Sequence, residues 1–296
     1  MSPAHLVSPA GTAEPVAATG WAENATGFSR WAAVGEEDGA VHTGFGICEL
    51  APGGSLPAHL HSFEESFFVV EGTGAVDTPE GTFRVTAGGY GVLPVGVPHR
   101  WRNDGGRPVR WAEMQSPAPR RSHQDDTFLV PLAVAGEPMD VDVRDPRTRR
   151  FGSITVAHLD AGKQSQELLA VSASMRTALL VYSGITVKMM VDSDLGAQLG
   201  TMFMVQYGPD GVIGGHDHPF EEAYYFLEGE GEASFDGTRY TVGPGDVAWA
   251  GVGCVHSFRN LGDGPLRWLE TQAPQPPPRH SYRFARDWDY LREVIE

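Results

Sequence analysis

The chain has 296 residues, enough for two domains that each bury a core of their own. It carries 22 basic and 38 acidic residues, and this formal net charge of −16 argues against nucleic acid or an anionic membrane as a main partner. Its two cysteines, Cys48 and Cys254, cannot form a disulfide framework, and we interpret both as small buried apolar residues.

The N-terminal segment, residues 1–27, is rich in Ala, Pro, Thr and Gly, and is predicted to be a flexible arm. It lacks a basic region followed by a continuous apolar core, so it does not resemble a signal peptide. No run in the chain approaches the ~18 apolar residues of a membrane helix. We therefore expect a cytoplasmic protein.

From Phe28 onward, short β-like runs separated by glycine and proline turns predict an all-β first domain over residues 28–117. A stretch rich in proline and arginine, residues 118–150, is predicted to be a solvated linker. Runs that begin at Phe151 predict the opening strands of a second all-β domain, residues 151–275. In the tail, residues 276–296, apolar residues at helical spacing predict a short C-terminal helix, and these are Trp288, Leu291 and Ile295.

The second domain contains a group of side chains that commonly bind metals. His216 and His218 precede Glu222, and His256 follows after a series of glycine turns. Because alternate residues of a strand point to the same face, the first two histidines can share one ion. Three imidazoles and a carboxylate suit a borderline divalent metal, and the remaining coordination positions would be open to water or substrate.

The same pattern occurs in the first domain, where every ligand lies 157 residues before its counterpart: His59, His61, Glu65 and His99. The register continues beyond the ligands, since Arg110-Trp111-x-Glu113-x-Gln115-x-Pro117 matches Arg267-Trp268-x-Glu270-x-Gln272-x-Pro274. Six of the eleven histidines fall in these two identical patterns. The chain is therefore an internal duplication with a predicted metal site in each half.

These paired motifs resemble those of the cupin superfamily, and the chain resembles a bicupin with two germin-like or quercetinase-like domains. The second copy departs from the family pattern in having Gly251 where proline is usual. The resemblance implies an all-β fold of two tandem double-stranded β-helix barrels, the jelly-roll or cupin barrel, with the metal inside. It implies up to two divalent ions per chain, Fe(II) being favoured over Mn, Ni, Cu or Zn, and it also implies a homodimer.

Strand alternation from the ligands predicts which side chains line the two pockets: Phe67, Val69 and Trp101 in the first, and Tyr224, Phe226 and Phe258 in the second. Such largely aromatic walls suit a mostly apolar substrate that meets the metal through an oxygen. Tyr224 carries the only hydroxyl among these positions. It is expected to orient a substrate, to act in proton transfer, or to tether its hydroxyl to a neighbouring group.

Five further glutamates and one glutamine occupy three pairs of equivalent positions. Glu49 and Gln206 precede the ligand motifs, and we consider a supporting or acid–base role for them beside the metal. Glu113 and Glu270 are expected to be structural. Glu64 and Glu221, next to the ligand glutamates, are expected to be solvated on the opposite face of the strand.

A fold of this kind does not determine the reaction. The favoured function is a metal-dependent dioxygenase that combines O₂ with a small oxygen-bearing substrate, phenolic or diketone-like. The alternative is a non-redox decarboxylase, isomerase or hydrolase whose metal acts as a Lewis acid. A binding or storage protein is a third hypothesis, but storage members of the family tend to lose their ligands, whereas both sets are complete here.

Overall fold

The computed structural model describes residues 5–17, 19–132, 136–160, 177–180, 184–275 and 283–284. Within these ranges no helix is long and apolar enough to cross a membrane. The helical elements described are short 3₁₀ segments at Ala10–Thr12, Gly20–Ala22, Glu36–Asp38, Arg121–Asp126, Pro146–Thr148 and Val156–Leu159, of which Arg121–Asp126 contains a kink. The helix predicted over Trp288, Leu291 and Ile295 lies outside the described residues.

Strands make up the rest of the regular structure. In chain order they are β1 (His5–Ser8), β2 (Val16–Ala17), β3 (Thr26–Val34), β4 (Gly44–Ser55), β5 (His59–His61), β6 (Glu64–Glu71), β7 (Thr73–Thr78), β8 (Gly81–Thr86), β9 (Gly89–Leu93), β10 (Arg100–Arg102), β11 (Val109–Ser116), β12 (Thr127–Leu129), β13 (Met139–Asp140), β14 (Phe151–Ser153), β15 (Thr177–Leu180), β16 (Ile185–Val191), β17 (Thr201–Tyr207), β18 (Val212–Asp217), β19 (Glu221–Glu228), β20 (Gly231–Phe235), β21 (Thr238–Val242), β22 (Val247–Ala250), β23 (His256–Asn260), β24 (Leu266–Ala273) and β25 (Arg283–Phe284).

The strands form two curled barrels. The first barrel is built on the strand order β13-β8-β7-β10-β4-β11-β6-β9-β14, with β3 and β2 added beyond β4. The second barrel has two sheets, β1-β22-β19-β24-β17-β16-β15 and β21-β20-β23-β18-β25. Equivalent strands pair in the same way, since β6 lies between β9 and β11 as β19 lies between β22 and β24. This confirms the predicted pair of jelly-roll barrels.

Each barrel has its own core, and a third cluster joins the two. On β11, Val109 and Trp111 point into the first barrel, whereas Ala112 and Met114 belong to the shared cluster. On β24, Leu269 belongs to the shared cluster, beside Trp268 in the core of the second barrel. Because successive side chains of a strand point to opposite faces, one strand can serve both cores. The barrels therefore pack against each other through apolar sheet faces.

Two strands pair with partners that the predicted domain boundaries did not give them. Strand β14 was expected to open the second barrel, but it pairs with β9 of the first. Strand β1, in the segment expected to be a flexible arm, pairs with β22 of the second barrel. A short apolar run indicates a strand without identifying its partner, which is why the sequence placed both segments wrongly.

Two buried glutamates, which we call the glutamate latches, fasten each barrel to the other. Glu221 accepts the backbone N–H groups of residues 41, 42 and 43 at 2.9, 3.0 and 3.0 Å. Glu64 accepts those of residues 198, 199 and 200 at 2.7, 3.0 and 3.1 Å. The prediction that both are solvated is wrong, because the strand face opposite the ligands is covered by the other barrel.

Candidate metal centres

The first quartet of predicted ligands is brought together inside the first barrel. His59 and His61 lie on β5, and Glu65 is the second residue of β6. His99 forms a β-bridge with His59. All four side chains are buried, and their ligand atoms lie within 4.8 Å of one another. One carboxylate oxygen, Glu65 Oε2, is 3.2 Å from the Nε2 atoms of both His61 and His99. The four donors therefore converge on one point.

Hydrogen bonds on the far side of each ring orient the imidazoles. His59 Nδ1 donates to the Pro57 carbonyl at 2.7 Å, and His99 Nδ1 donates to the Val97 carbonyl at 2.9 Å. The Thr127 hydroxyl, 2.9 Å from His61 Nδ1, donates its own proton to a backbone carbonyl, so it accepts from the ring. When the proton of the neutral ring is on Nδ1, Nε2 directs a lone pair towards the common point. A metal bound through Nε2 requires this tautomer.

Burial sets the charge state of the same groups. It lowers the pKa of His59 and of His61 well below the ordinary value, and the nearby His99 lowers both further. Burial opposes protonation of His99 as well, but its hydrogen bond and charge interaction with Glu65 outweigh this and raise its pKa. Three imidazoles and one carboxylate are the donor set of a borderline divalent ion, so these residues fit a metal such as Fe(II), Mn, Ni or Zn, and His99 would give up any proton on Nε2 when the ion binds.

The second quartet has a similar arrangement, with His216 on β18, His218 directly after that strand, Glu222 on β19 and His256 at the start of β23. His216, His218 and His256 place their ligand nitrogens within 4.8 Å of one another. Glu222 Oε1 lies 3.4 Å from His218 Nε2, and its Oε2 lies 3.0 Å from His256 Nε2. Backbone carbonyls again hold the Nδ1 atoms of His216 and His256, at 2.8 and 3.0 Å. Burial lowers the pKa of His216 to about 3, so this site also fits a divalent ion.

Tyr224 tethers its hydroxyl to a ligand of the second quartet. The hydroxyl donates to Glu222 Oε2 at 2.5 Å, and Gln272 Nε2 donates to Glu222 Oε1 at 2.7 Å. Burial opposes the negative charge on Glu222, but the hydrogen bonds and charges of His256, His218 and Tyr224 outweigh it and lower the pKa of this carboxyl. Of the three roles considered for Tyr224, the geometry matches the tether. The first barrel has Phe67 at this position.

A cavity of about 830 Å³ reaches the first quartet. Its lining includes His59, Glu65 and the predicted wall residue Trp101, together with Trp21, Arg30 and Trp111. Trp21 covers the quartet, with its ring centroid 4.4 Å from that of His59. The other predicted wall residues lie in the barrel cores: Phe67 and Val69 in the first, Phe226 and Phe258 in the second.

Sequence reasoning missed Trp21 and Arg30, which lie outside the duplicated segment. Arg30 Nε donates to Glu113 Oε2 at 2.7 Å, and Cys48 Sγ lies 3.3 Å from the same oxygen. The position 157 residues after Arg30 is Val187. The presence of an arginine in one half of the repeat, where the other half has a valine, is the signal that could have identified Arg30.

In the second barrel the counterpart of Glu113 is Glu270, and its carboxyl has a different hydrogen-bond partner. Trp268 Nε1 donates to Glu270 Oε2 at 2.8 Å. Burial and the charge of Glu222 raise the pKa of Glu270 well above the ordinary value. In the first barrel, where Arg30 engages Glu113, the Trp111 N–H has no hydrogen-bond partner among the described residues.

Glu49 and Gln206 lie away from the ligands, and the expectation that they face the metal is wrong. Glu49 forms an ion pair with Arg110 at 2.9 Å on the outer surface of the barrel. Gln206 donates to the carbonyl of Leu159 at 3.3 Å. On β4 the neighbouring Cys48 points inward instead. The loop before the ligands shifts the alternation by one residue, and sequence alone did not reveal this shift.

Comparison with known proteins agrees with the fold and the ligand pattern. The family model described as the cupin domain matches the chain twice, at residues 46–114 and 203–271. Duplicated barrels with two His and Glu clusters define a bicupin. The chain belongs to the cupin superfamily, as a bicupin.

Solved structures with the same fold cover nearly the whole chain. A glyoxylate-induced protein of Pseudomonas aeruginosa is 19% identical, with a TM-score of 0.66 and coverage of 95% of this chain and 91% of that chain. The oxalate decarboxylase of Lactobacillus farciminis, solved as a formate complex, is 17% identical, with a TM-score of 0.65 and coverage of 97% and 90%. That of Bacillus subtilis is 13% identical, with a TM-score of 0.62 and coverage of 100% and 83%.

A curated relative matches over a shorter stretch. It is named polyketide synthase CurC, from Streptomyces cyaneus, and is 35% identical over 86 residues, 28% of this chain. The match spans 56% of the length of that relative.

Proposed function

We propose that the chain is a metal-dependent bicupin enzyme whose first barrel acts as a dioxygenase on a small oxygen-bearing molecule, phenolic or diketone-like. The observation that carries the proposal is the cavity of about 830 Å³, which borders His59 and Glu65. This volume suits a small organic ligand. An ion held by the first quartet, Fe(II) in our proposal, would supply the redox chemistry needed for O₂ to react with an organic molecule.

The residues around the cavity would bind and orient the substrate. The indole N–H groups of Trp101 and Trp111 are buried and lack a hydrogen-bond acceptor among the described residues. Buried donors are normally paired, so an oxygen-bearing substrate offers the partner that they lack. Trp21, which lies against His59, would exclude bulk water from the quartet.

The proposed chemical class of the substrate is supported by these donors and by one relative. The cavity lining combines aromatic side chains, among them Trp21, Trp101 and Trp111, with charged ones such as Arg30 and Asp125. The aromatic part of this lining would suit a flat organic molecule, and the polar part would suit oxygen substituents on it. Polyketide chains bear carbonyl groups at alternate carbons and cyclise to phenols. The name of the matching relative, a polyketide synthase, therefore supports a diketone-like or phenolic substrate here.

The differences between the barrels support turnover in the first. In the second barrel, Tyr224 and Gln272 donate to the two oxygens of Glu222, and Trp268 donates to Glu270. These side chains satisfy one another and leave little for a substrate. We infer that the second quartet holds an ion chiefly for stability.

A non-redox decarboxylase is the second candidate, and Arg30 is the observation that favours it. Its guanidinium lines the cavity of the first barrel, where a cation would attract a carboxylate substrate. Two of the structural relatives are oxalate decarboxylases. In this reaction a metal would polarise the carboxylate without a change of oxidation state.

One experiment separates the two candidates. The protein loaded with Fe(II) is supplied in turn with phenols, β-diketones and small dicarboxylates, while O₂ consumption and CO₂ release are measured together. The proposal predicts O₂ uptake that depends on a phenol or diketone and is lost in His61→Ala. Release of CO₂ without O₂ consumption would overturn the dioxygenase in favour of the decarboxylase, and binding without turnover would favour a binding protein.

A further inference from the structure

A third cluster of potential metal ligands lies on the second barrel, outside both quartets. It consists of His5, Asp236 and Cys254, whose ligand atoms lie within 4.8 Å of one another. They come from three separate parts of the chain: strand β1, the turn between β20 and β21, and the loop before β23. These three donors are far apart in the sequence and lie close together only in the folded chain.

The ring of His5 is clamped on two sides. It stacks on Phe235 with a centroid distance of 5.6 Å and an interplanar angle of 16°, and its Nε2 lies 3.0 Å from the Tyr240 hydroxyl. The other nitrogen, Nδ1, faces Asp236 Oδ2 at 3.9 Å. This distance is too long for a hydrogen bond. The Nδ1 atom is therefore aimed at the carboxylate without bonding to it.

The other two ligands are held by the backbone between them. Asp236 Oδ1 accepts the N–H of Val255 at 3.0 Å, and the N–H of Asp236 donates to the carbonyl of Val255 at 2.7 Å. These bonds leave Oδ2 directed at His5. The adjacent Cys254 is only 2% exposed, so its thiol is held in the protein interior beside the carboxylate.

We infer that His5, Asp236 and Cys254 form a third metal site that binds Zn²⁺ or a similar borderline divalent ion. One nitrogen, one oxygen and one sulfur are the donors that Zn²⁺ takes in proteins, and a fourth, tetrahedral position would be open to water. With the usual bond lengths to nitrogen and oxygen, these two atoms would lie roughly 3.4 Å apart in such a site. The observed 3.9 Å between Nδ1 and Oδ2 requires only a small closure.

The site is particular to the second barrel and adjoins its quartet. The counterparts of Asp236 and Cys254 in the first barrel are Pro79 and Val97, neither of which can bind a metal through its side chain. The carbonyl of Cys254 accepts the proton of His256 Nδ1 at 3.0 Å. An ion on the third site would therefore fasten β1 to the barrel and fix the loop that orients a ligand of the second quartet.

Cobalt provides a specific probe, because neither quartet contains sulfur. The full chain is titrated with Co²⁺, and the absorption band of a thiolate bound to cobalt is followed while bound cobalt is counted. We expect the band in the wild type together with three cobalt ions per chain. Cys254→Val, which introduces the residue found in the first barrel, should abolish the band and one equivalent, and His5→Ala should weaken cobalt binding at this site.

The control is Cys48→Val, which removes the other cysteine and should keep the band. Circular dichroism of Cys254→Val checks that the barrels of this variant are folded. The two cobalt equivalents that the variant still binds report that both quartets are intact. The inference is overturned if the wild type binds two equivalents without a thiolate band, or if the band persists in Cys254→Val.

Discussion

At the scale of single residues, Arg30 distinguishes the first site from the second most clearly. Its guanidinium lies 2.7 Å from the buried Glu113 and also lines the cavity, whereas its counterpart is Val187. Burial opposes the charge on Arg30, but the interaction with Glu113 outweighs it and raises the pKa of the guanidinium. The guanidinium therefore stays charged inside the barrel.

Removing one member of this pair should destabilise the protein. We expect Arg30→Met to lower the free energy of unfolding by about 3–5 kcal/mol, because it removes the only cation that pairs with the buried Glu113 carboxyl among the described residues. The double variant Arg30→Met/Glu113→Gln should recover most of this loss. Denaturant unfolding of the two variants measures both values, and equal losses would contradict the account.

Tyr224 provides a second test at this scale. Tyr224→Phe removes the hydroxyl that donates to Glu222 and should cost about 1.5–3 kcal/mol in unfolding free energy, the range for hydrogen bonds to charged groups. Since we place turnover in the first barrel, kcat/KM should stay close to that of the wild type. A loss of turnover with the metal content unchanged would instead make Tyr224 a catalytic residue.

The sequence predicted which side chains come together in the two quartets, because their spacing follows strand geometry and is repeated. His59, His61 and Glu65 could be placed together from alternation within strands and a short turn between them. Alternation failed for Glu49, since the loop between it and His59 changes the face that each residue occupies. Trp21 could not be found by the repeat, because the N-terminal segment reaches the site only in the folded chain. Arg30 could have been found by comparing it with Val187, its counterpart in the second half.

At the scale of strands, an ionic cluster joins β7 to β10. Asp77 is fully buried and accepts hydrogen bonds from Arg100, Arg102 and Thr82 at 2.6, 2.9 and 2.7 Å. Burial acts to raise the pKa of Asp77, but these hydrogen bonds outweigh it and lower the pKa. The folded state therefore favours the ionised carboxylate more than the unfolded state does.

This lowered pKa predicts a pH dependence. The contribution of Asp77 to stability is fully present above its unfolded pKa of about 3.9 and is lost as the pH falls through the lower folded value. Asp77→Asn should be less stable than the wild type at pH 7, and its unfolding free energy should fall less steeply below about pH 4. Urea unfolding at several pH values tests this, and parallel pH curves would contradict it.

At the scale of the whole molecule, the shared core and the glutamate latches make the two barrels one unit. Each latch, Glu64 or Glu221, binds three consecutive backbone N–H groups of the other barrel. This arrangement follows the duplication, because Glu221 lies 157 residues after Glu64 and the segment 198–200 lies 157 residues after the segment 41–43. Sequence analysis found the repeat but could not show that the two copies face each other.

Removing a latch should weaken both barrels together. Glu64→Ala and Glu221→Ala should each cost at least about 2 kcal/mol of unfolding free energy, since buried donors lose their acceptor. Glu228→Ala is the control on the same strand as Glu221, because its side chain is 51% exposed and its ion pair with Arg267 lies at the surface. Calorimetry should show one transition in the wild type, and two separate transitions would contradict the single unit.

The central claim is that both quartets bind metal and that the first one turns over substrate. The most direct measurement is the metal content of His61→Ala and His218→Ala, made beside O₂ uptake with the best phenol or diketone substrate. We predict that each variant loses one equivalent from its own quartet and that only His61→Ala loses O₂ uptake. Full metal content in both variants, or activity that survives in His61→Ala and is lost in His218→Ala, would contradict the account.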